Sequence, residues 1–260
     1  MPVFWPVGHV EHVMGTVVSF DLRIADESQR PAMRAAITSA VSWLHRVDGV
    51  FSTYRADSQI SRLGRGEVRL ADCDPDVAEV LELCATVGRE TGGFFSSTYA
   101  GRLDPTGLVK GWAIQRASEL LHAAGSSNHC VNGGGDMQVV GEPQPGDAWQ
   151  VGIAHPLHRN ELASVVSIRD GAVATSGTAE RGAHVLDPFT GRPAETLASV
   201  TVVGSELTRV DAYATAALAM GDAAASWLES CPGYEAFAIR ADGFGWWTTG
   251  YPRVATVPES

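Results

Sequence analysis

The chain has 260 residues, 45% of them hydrophobic, and a formal net charge of -11, enough to bury a substantial core as one large domain or as two small lobes. So acidic a composition without any basic run argues against nucleic acid or an anionic membrane as partner. No stretch approaches the ~18 consecutive apolar residues of a membrane span, and the opening Met-Pro-Val-Phe-Trp-Pro-Val lacks a charged n-region and a lipid-accepting cysteine, so a cytoplasmic protein without membrane insertion is expected.

In chain order, residues 10–22 hold two β-rich pieces around Met14-Gly-Thr16 and read as strand, kink, strand. Residues 31–47 form an amphipathic helix with Met33, Ile37, Val41, Leu44 and Val47 on one side. Asp74-Pro75 is a cap and first-turn pair for a second helix with the stripe Val77, Leu81, Cys84 and Val87, closed by Gly92-Gly93. Asp104 ends a short strand, Thr106-Gly107 turn, and residues 108–124 read as a helix stopped by Gly125. Short strands follow, with hairpins expected about Asn132-Gly-Gly-Gly-Asp136 and about Asp170-Gly171. Residues 141–147 are the expected long surface loop. An alanine-rich helix runs over 211–228, and a last hairpin turns at Asp242-Gly243. Early and central helices with intervening hairpins predict an α+β fold built on mixed, largely antiparallel sheets with flanking helices.

Of 19 basic residues only Lys110 is a lysine. Chance in an arginine-biased sequence is one account. The other is a site needing a compact ammonium rather than a planar guanidinium, at a helix start where unpaired N–H groups and the dipole attract phosphate. The G-x-x-x-x-G-K-[ST] pattern is absent around it. Asn132-Gly-Gly-Gly-Asp136 suits either a hairpin turn or a backbone cradle for a ligand. Asp211 and Thr215, four apart at a helix start, aim two oxygens the same way, as a hard cation requires; Thr208-Arg-Val-Asp211 equally fits a capping box. His184, before an Asp-Pro-Phe-Thr-Gly turn, is either an inert histidine or a proton carrier near neutral pH. Thr175-Ser-Gly-Thr178 places hydroxyls and a glycine just upstream, as ligand groups or simply as a turn. Cys73, Cys84, Cys130 and Cys231 lack C-x-x-C or zinc spacing and read as small buried hydrophobes in a reducing compartment.

Taken together and in this order, Met14-Gly-Thr16, Phe51-Ser-Thr-Tyr-Arg55, Ile60-Ser-Arg-Leu63, Thr91-Gly-Gly-Phe94 and Asp104-Pro-Thr-Gly-Leu-Val-Lys-Gly-Trp-Ala113 resemble the FAD:protein FMN transferase family, the ApbE-type flavin transferases. Asn132-Gly-Gly-Gly-Asp136, Thr175-Ser-Gly-Thr178, His184-Val-Leu-Asp-Pro-Phe-Thr-Gly191 and Asp211-Ala-Tyr-Ala-Thr215 extend the resemblance over nearly the whole chain. It implies a single flavin transferase domain that binds FAD and Mg2+ and passes FMN to a threonine hydroxyl of a target flavoprotein, with release of AMP. By motif, Met14, Phe94, Phe95, Ser96, Asp104, Lys110 and Val185 would contact FAD. Gly107 through its carbonyl, Asp211 and Thr215 would hold magnesium, and His184 would be the base. Ser96 stands where many relatives carry aspartate, and the link from Thr98 to Asp104 is short. The rival readings are a magnesium-dependent FAD pyrophosphatase, with water in place of the acceptor, and a carrier that binds FAD intact.

Overall fold

The computed structural model describes residues 3–99, 101–178 and 185–256. The elements in order are β1 (Trp5–Val13), β2 (Thr16–Ile24), α1 (Arg30–Phe51), α2 (Gln59–Gly64), α3 (Pro75–Glu90), β3 (Thr98–Tyr99), β4 (Arg102–Leu103) and α4 (Thr106–Ala123). Then come β5 (His129–Gly133), β6 (Asp136–Val140), β7 (Trp149–Ala154), β8 (Leu162–Ile168), β9 (Gly171–Gly177), β10 (Leu197–Gly204), α5 (Leu207–Met220), α6 (Ala224–Glu229), β11 (Glu235–Arg240), β12 (Gly245–Trp247) and β13 (Ala255–Thr256). The expected α+β class holds. An eight-stranded sheet runs β1-β2-β5-β6-β9-β10-β11-β12, and its neighbouring strands are antiparallel throughout. A smaller sheet runs β13-β8-β7.

Strand alternation decides what each face buries. Ala172 and Ala174 of β9, Val200 and Val202 of β10, and Ala236 and Ala238 of β11 join the main core beneath the helices. Their neighbours Val173, Val203, Phe237 and Ile239 point the other way and pack with Val151, Ile153 and Val166 of the small sheet and with Tyr251. At the β1–β2 end only the helix-side face is covered: Val18, Phe20, Leu22 and Ile24 are buried, whereas Val17 is exposed. Within the helical layer α4 is the central member, packed against α1, α5 and β5. Leu108, Val109, Trp112, Ile114, Ala117 and Leu121 are all buried along it.

Several expected elements come out differently. The kink at Met14 is a full hairpin between β1 and β2, pairing Val13 with Thr16. Thr106 and Gly107 are not a turn but the first residues of α4. The strands flanking Asp170-Gly171 are not a hairpin: β8 belongs to the small sheet and β9 to the large one. Gly171 (φ +152°) makes the passage, lying where an added Cβ would be 2.6 Å from the Gly204 carbonyl oxygen of β10's end. The alanine-rich run breaks at Gly221 (φ +60°), which separates α5 from α6. Of the four cysteines, all free, only Cys84 is fully buried. The hairpins at residues 133–136 and 240–245 form as expected.

Candidate active site

Asp104 stands just before α4, and Gly107 and Lys110 lie in its first turns. Asp104 Oδ1 accepts from the Thr106 N–H at 3.0 Å and from the Thr106 hydroxyl at 2.5 Å, which ties the helix entry in the way short acidic side chains do. Gly107 presents bare backbone: an added Cβ would lie 3.3 Å from the Phe95 ring and 3.8 Å from Thr215 Cγ2. One turn on, Lys110 donates to Asp136 Oδ2, and its ammonium stands 3.6 Å from Asp211 Oδ1. The two carboxylates are almost sealed from solvent, with side chains 2% and 5% exposed.

Asp211 comes from the first turns of α5, and the way that helix begins removes one of the two sequence readings. The capping box is not formed: the Thr208 N–H and hydroxyl both go to Gln115 Oε1 of α4, at 3.1 and 2.7 Å. The Leu207 N–H goes to Gln138 Oε1 of β6 at 3.0 Å. Two side-chain amides from other elements thus satisfy donors that a local cap would otherwise take, and Asp211 is left to reach across to α4, where Oδ2 accepts the Gly111 N–H at 3.0 Å. In a regular helix that N–H also faces the Gly107 carbonyl four residues back. Burial pushes the Asp211 carboxyl well above the usual carboxylate range, the Lys110 ammonium pulls it back, and Asp136 pushes it up again. Thr215, one turn further, has its hydroxyl 3.3 Å from Ser176 Oγ of β9.

The glycine run is accounted for by packing. Gly134 (φ +64°) and Gly135 (φ +98°) form a two-residue turn with positive φ at both positions, the requirement of the tightest hairpins. Gly133 lies so close to α4 that an added Cβ would be 2.3 Å from Ile114 Cδ1. The turn delivers Asp136, whose Oδ1 accepts the Thr175 N–H at 3.0 Å. The Gly134 N–H bonds the Val17 carbonyl at 3.1 Å, which sets the β5–β6 turn beside the β1–β2 turn. There Met14 holds φ +54°, rare for a side chain other than glycine, and packs partly buried on the main core.

Phe95 is a core residue, 2% exposed, lying under Gly107, with its N–H on Thr91 Oγ1 at 3.0 Å. Phe94 instead meets Phe189 edge-on at 4.9 Å between ring centroids. Ser96 is occupied locally, its hydroxyl donating to the Thr98 carbonyl at 2.9 Å and accepting the Thr98 N–H at 3.0 Å. Val185 packs against the main core, and its carbonyl accepts from Ala194 N–H at 2.9 Å. Residues 187–191 turn on Asp187, which accepts from the Phe189 N–H and the Thr190 hydroxyl at 2.8 Å each. His184 lies outside the described residues.

The sequence profile of the ApbE family matches residues 14–101 and 99–238. The chain belongs to the ApbE family. A protein named FAD:protein FMN transferase from Salmonella typhimurium is 29% identical over 164 residues, 59% of this chain and 47% of that protein. Its namesake from Rhodobacter capsulatus is 30% identical over 190 residues, 70% of this chain and 33% of that protein. The matched stretches span less than half the length of these curated relatives. The ApbE protein of Thermotoga maritima shares the fold, with a TM-score of 0.84 at 20% identity over 96% of this chain and 99% of that one.

Against this ApbE fold, the donor chemistry around Lys110 fits magnesium. Asp211 offers one carboxylate, Thr215 a hydroxyl and Gly107 a carbonyl from adjoining helix turns, all hard oxygens. Among the described residues no group of three or more His, Cys, Asp or Glu is arranged to hold a metal. The open cleft of about 510 Å³ lined by Arg23, Gln144, Asp147 and Trp149 is a separate feature: Arg23 alternates with the core-facing Leu22 and Ile24 of β2, whereas Lys110 sits in the helical layer. Sequence reasoning missed Asp136 as a member of the cluster. Its signal was an acidic residue closing a turn that glycine alone already satisfies.

Proposed function

We propose that this chain transfers FMN from FAD to a threonine hydroxyl of a target flavoprotein, with magnesium, releasing AMP. The observation that carries the reading is the Lys110–Asp136–Asp211 cluster, both carboxylates buried, beside Gly107 and Thr215, a concentration of ionisable groups that folding alone does not need and that breaking leaves costly. The shared fold and the printed names of the relatives support it.

In this reading Asp211, Thr215 and the Gly107 carbonyl hold magnesium, which supplies Lewis-acid neutralisation of the pyrophosphate. Lys110 adds a compact positive charge one helical turn from Gly107, aimed at the same oxygens. Met14, Phe94, Ser96, Asp104 and Val185 contact FAD, and Phe95, being buried, does so through its backbone. His184 takes the proton of the acceptor hydroxyl as that oxygen bonds the FMN-side phosphorus; the bond from that phosphorus to the bridging oxygen breaks, and AMP departs with it. Placement and electrostatics then supply most of the rate, as in other phosphoryl transfers. Among the described residues no helix is long and apolar enough to cross a membrane, and the proposed acceptors are cytoplasmic or face the cytoplasm.

The deciding experiment incubates purified protein with FAD and magnesium, with and without a flavoprotein domain bearing an acceptor threonine. Acid-stable flavin on the acceptor with matching AMP is the expected result. AMP with free FMN and no labelled acceptor would favour a pyrophosphatase, and intact FAD despite tight binding would leave a carrier or the wrong acceptor.

A further inference from the structure

The Lys110 ammonium is placed between two buried carboxylates, and it is not shared equally. It hydrogen bonds Asp136 Oδ2, whereas Asp211 Oδ1 is 3.6 Å away. Asp136 belongs to β6 and Asp211 to α5, so the arrangement is built by three separate elements around one side chain. Asp136 is itself fixed from behind, Oδ1 on the Thr175 N–H at 3.0 Å, and from the side by the turn that pairs it with Gly133.

We infer that Asp136 is a positioning residue that holds Lys110 off Asp211 and thereby keeps an Asp211 oxygen open to a hard divalent cation. The inference rests on the reading of Asp211 as a cation ligand. Without the Asp136 carboxylate the ammonium loses its nearer partner, and beside carboxylates this well shielded from water it closes onto the one that remains. The lysine would then occupy the oxygen that the cation needs. With Asp136 present the ammonium has a nearer partner than Asp211.

The substitution Asp136→Asn removes the charge yet retains an oxygen for the Thr175 N–H and nearly the same volume, so the hairpin has no reason to open. The probe is Mn2+ alone, titrated into FAD-free protein and followed by the electron paramagnetic resonance signal of unbound Mn2+, with melting temperatures recorded for every variant. Wild type is expected to bind and Asp136→Asn to bind roughly 10–100-fold more weakly, the range typical of partners behind a metal ligand. The double variant Asp136→Asn/Lys110→Met is expected to regain most of that loss, because no ammonium competes for Asp211. A purely structural role for Asp136 would lower the melting temperature and leave the double variant as weak as the single one, and that result overturns the inference. So does equal Mn2+ affinity in wild type and Asp136→Asn. Absence of Mn2+ binding in wild type would remove the metal reading of Asp211, and this inference with it.

Discussion

At the residue scale, the titratable groups that matter are those cut off from water. Asp211→Asn keeps an acceptor for the Gly111 N–H and the shape of the side chain, so the protein should fold while magnesium-dependent FAD cleavage is lost. A folded variant cleaving FAD at the wild-type rate would sink the assignment of Asp211 to the cation. His184→Asn should retain FAD binding, measured by flavin fluorescence, and lose transfer; transfer at near wild-type rate would put the base elsewhere. His129 makes a different case. It is fully buried, with Nε2 2.8 Å from the Ser118 hydroxyl and Nδ1 3.0 Å from that of Ser126. Burial pushes its pKa down to about 4, the charge of His122 helps, and the two serines oppose. A histidine unfolded near 6.5 and folded near 4 binds its proton more readily in the unfolded chain throughout that window. Stability is therefore complete above the unfolded value and declines as pH falls from about 6.5 towards 4, by about 3 kcal/mol in all. Urea unfolding at pH 7.5 and at pH 5 should show most of that decline in wild type, and a smaller one in His129→Gln whatever its baseline. Equal declines would mean that His129 is not the group responsible.

At the element scale, the crossing of α4 and α5 sets the geometry of the site. An added Cβ on Gly111 would lie 2.6 Å from the Leu207 carbonyl oxygen and 2.8 Å from Asp211 Cβ, so the helices approach at a point only glycine permits. Gly111→Ala should destabilise by ~1–3 kcal/mol, the usual range for overpacking, and should also push the Asp211 carboxylate away from α4. The expected signature is a fall in Mn2+ affinity beyond what the lowered melting temperature explains; unchanged affinity would show that the crossing does not place that carboxylate. The sequence reveals these helices well because their signals are local. Asp74 caps α3 by accepting the Asp76 N–H, and α4 shows its apolar spacing and its terminal Gly125. It does not reveal α2, whose six residues are too few for a period to emerge. Nor does it separate a hairpin from a change of sheet at Asp170-Gly171, since both need the same turn chemistry. Asp136 stayed hidden because its partner Lys110 is 26 residues away, and only the pairing of β6 beside α4 brings them together.

At the scale of the whole molecule, the question is whether the small sheet is a lobe of its own. The strands β9, β10 and β11 send alternate residues into the two hydrophobic clusters, so neither cluster is complete without strands that also serve the other. Phe237 tests this coupling. It is 2% exposed, stacks on Tyr251 at 5.6 Å between ring centroids, and sits between Ala236 and Ala238 of the main core. Phe237→Ala should cost about 3–5 kcal/mol, as large-to-small changes in cores do. Hydrogen exchange read by peptide tells how that loss is distributed. If the shared strands bind both layers into one cooperative unit, protection should fall by the same free energy in β7 and β8 as in α4 and α5, because the slowest amides of each exchange through the same global opening. If β7 and β8 loosen while α4 keeps its protection, the chain opens as two lobes, and the Lys110–Asp136–Asp211 cluster would survive in a molecule whose small sheet has already come away.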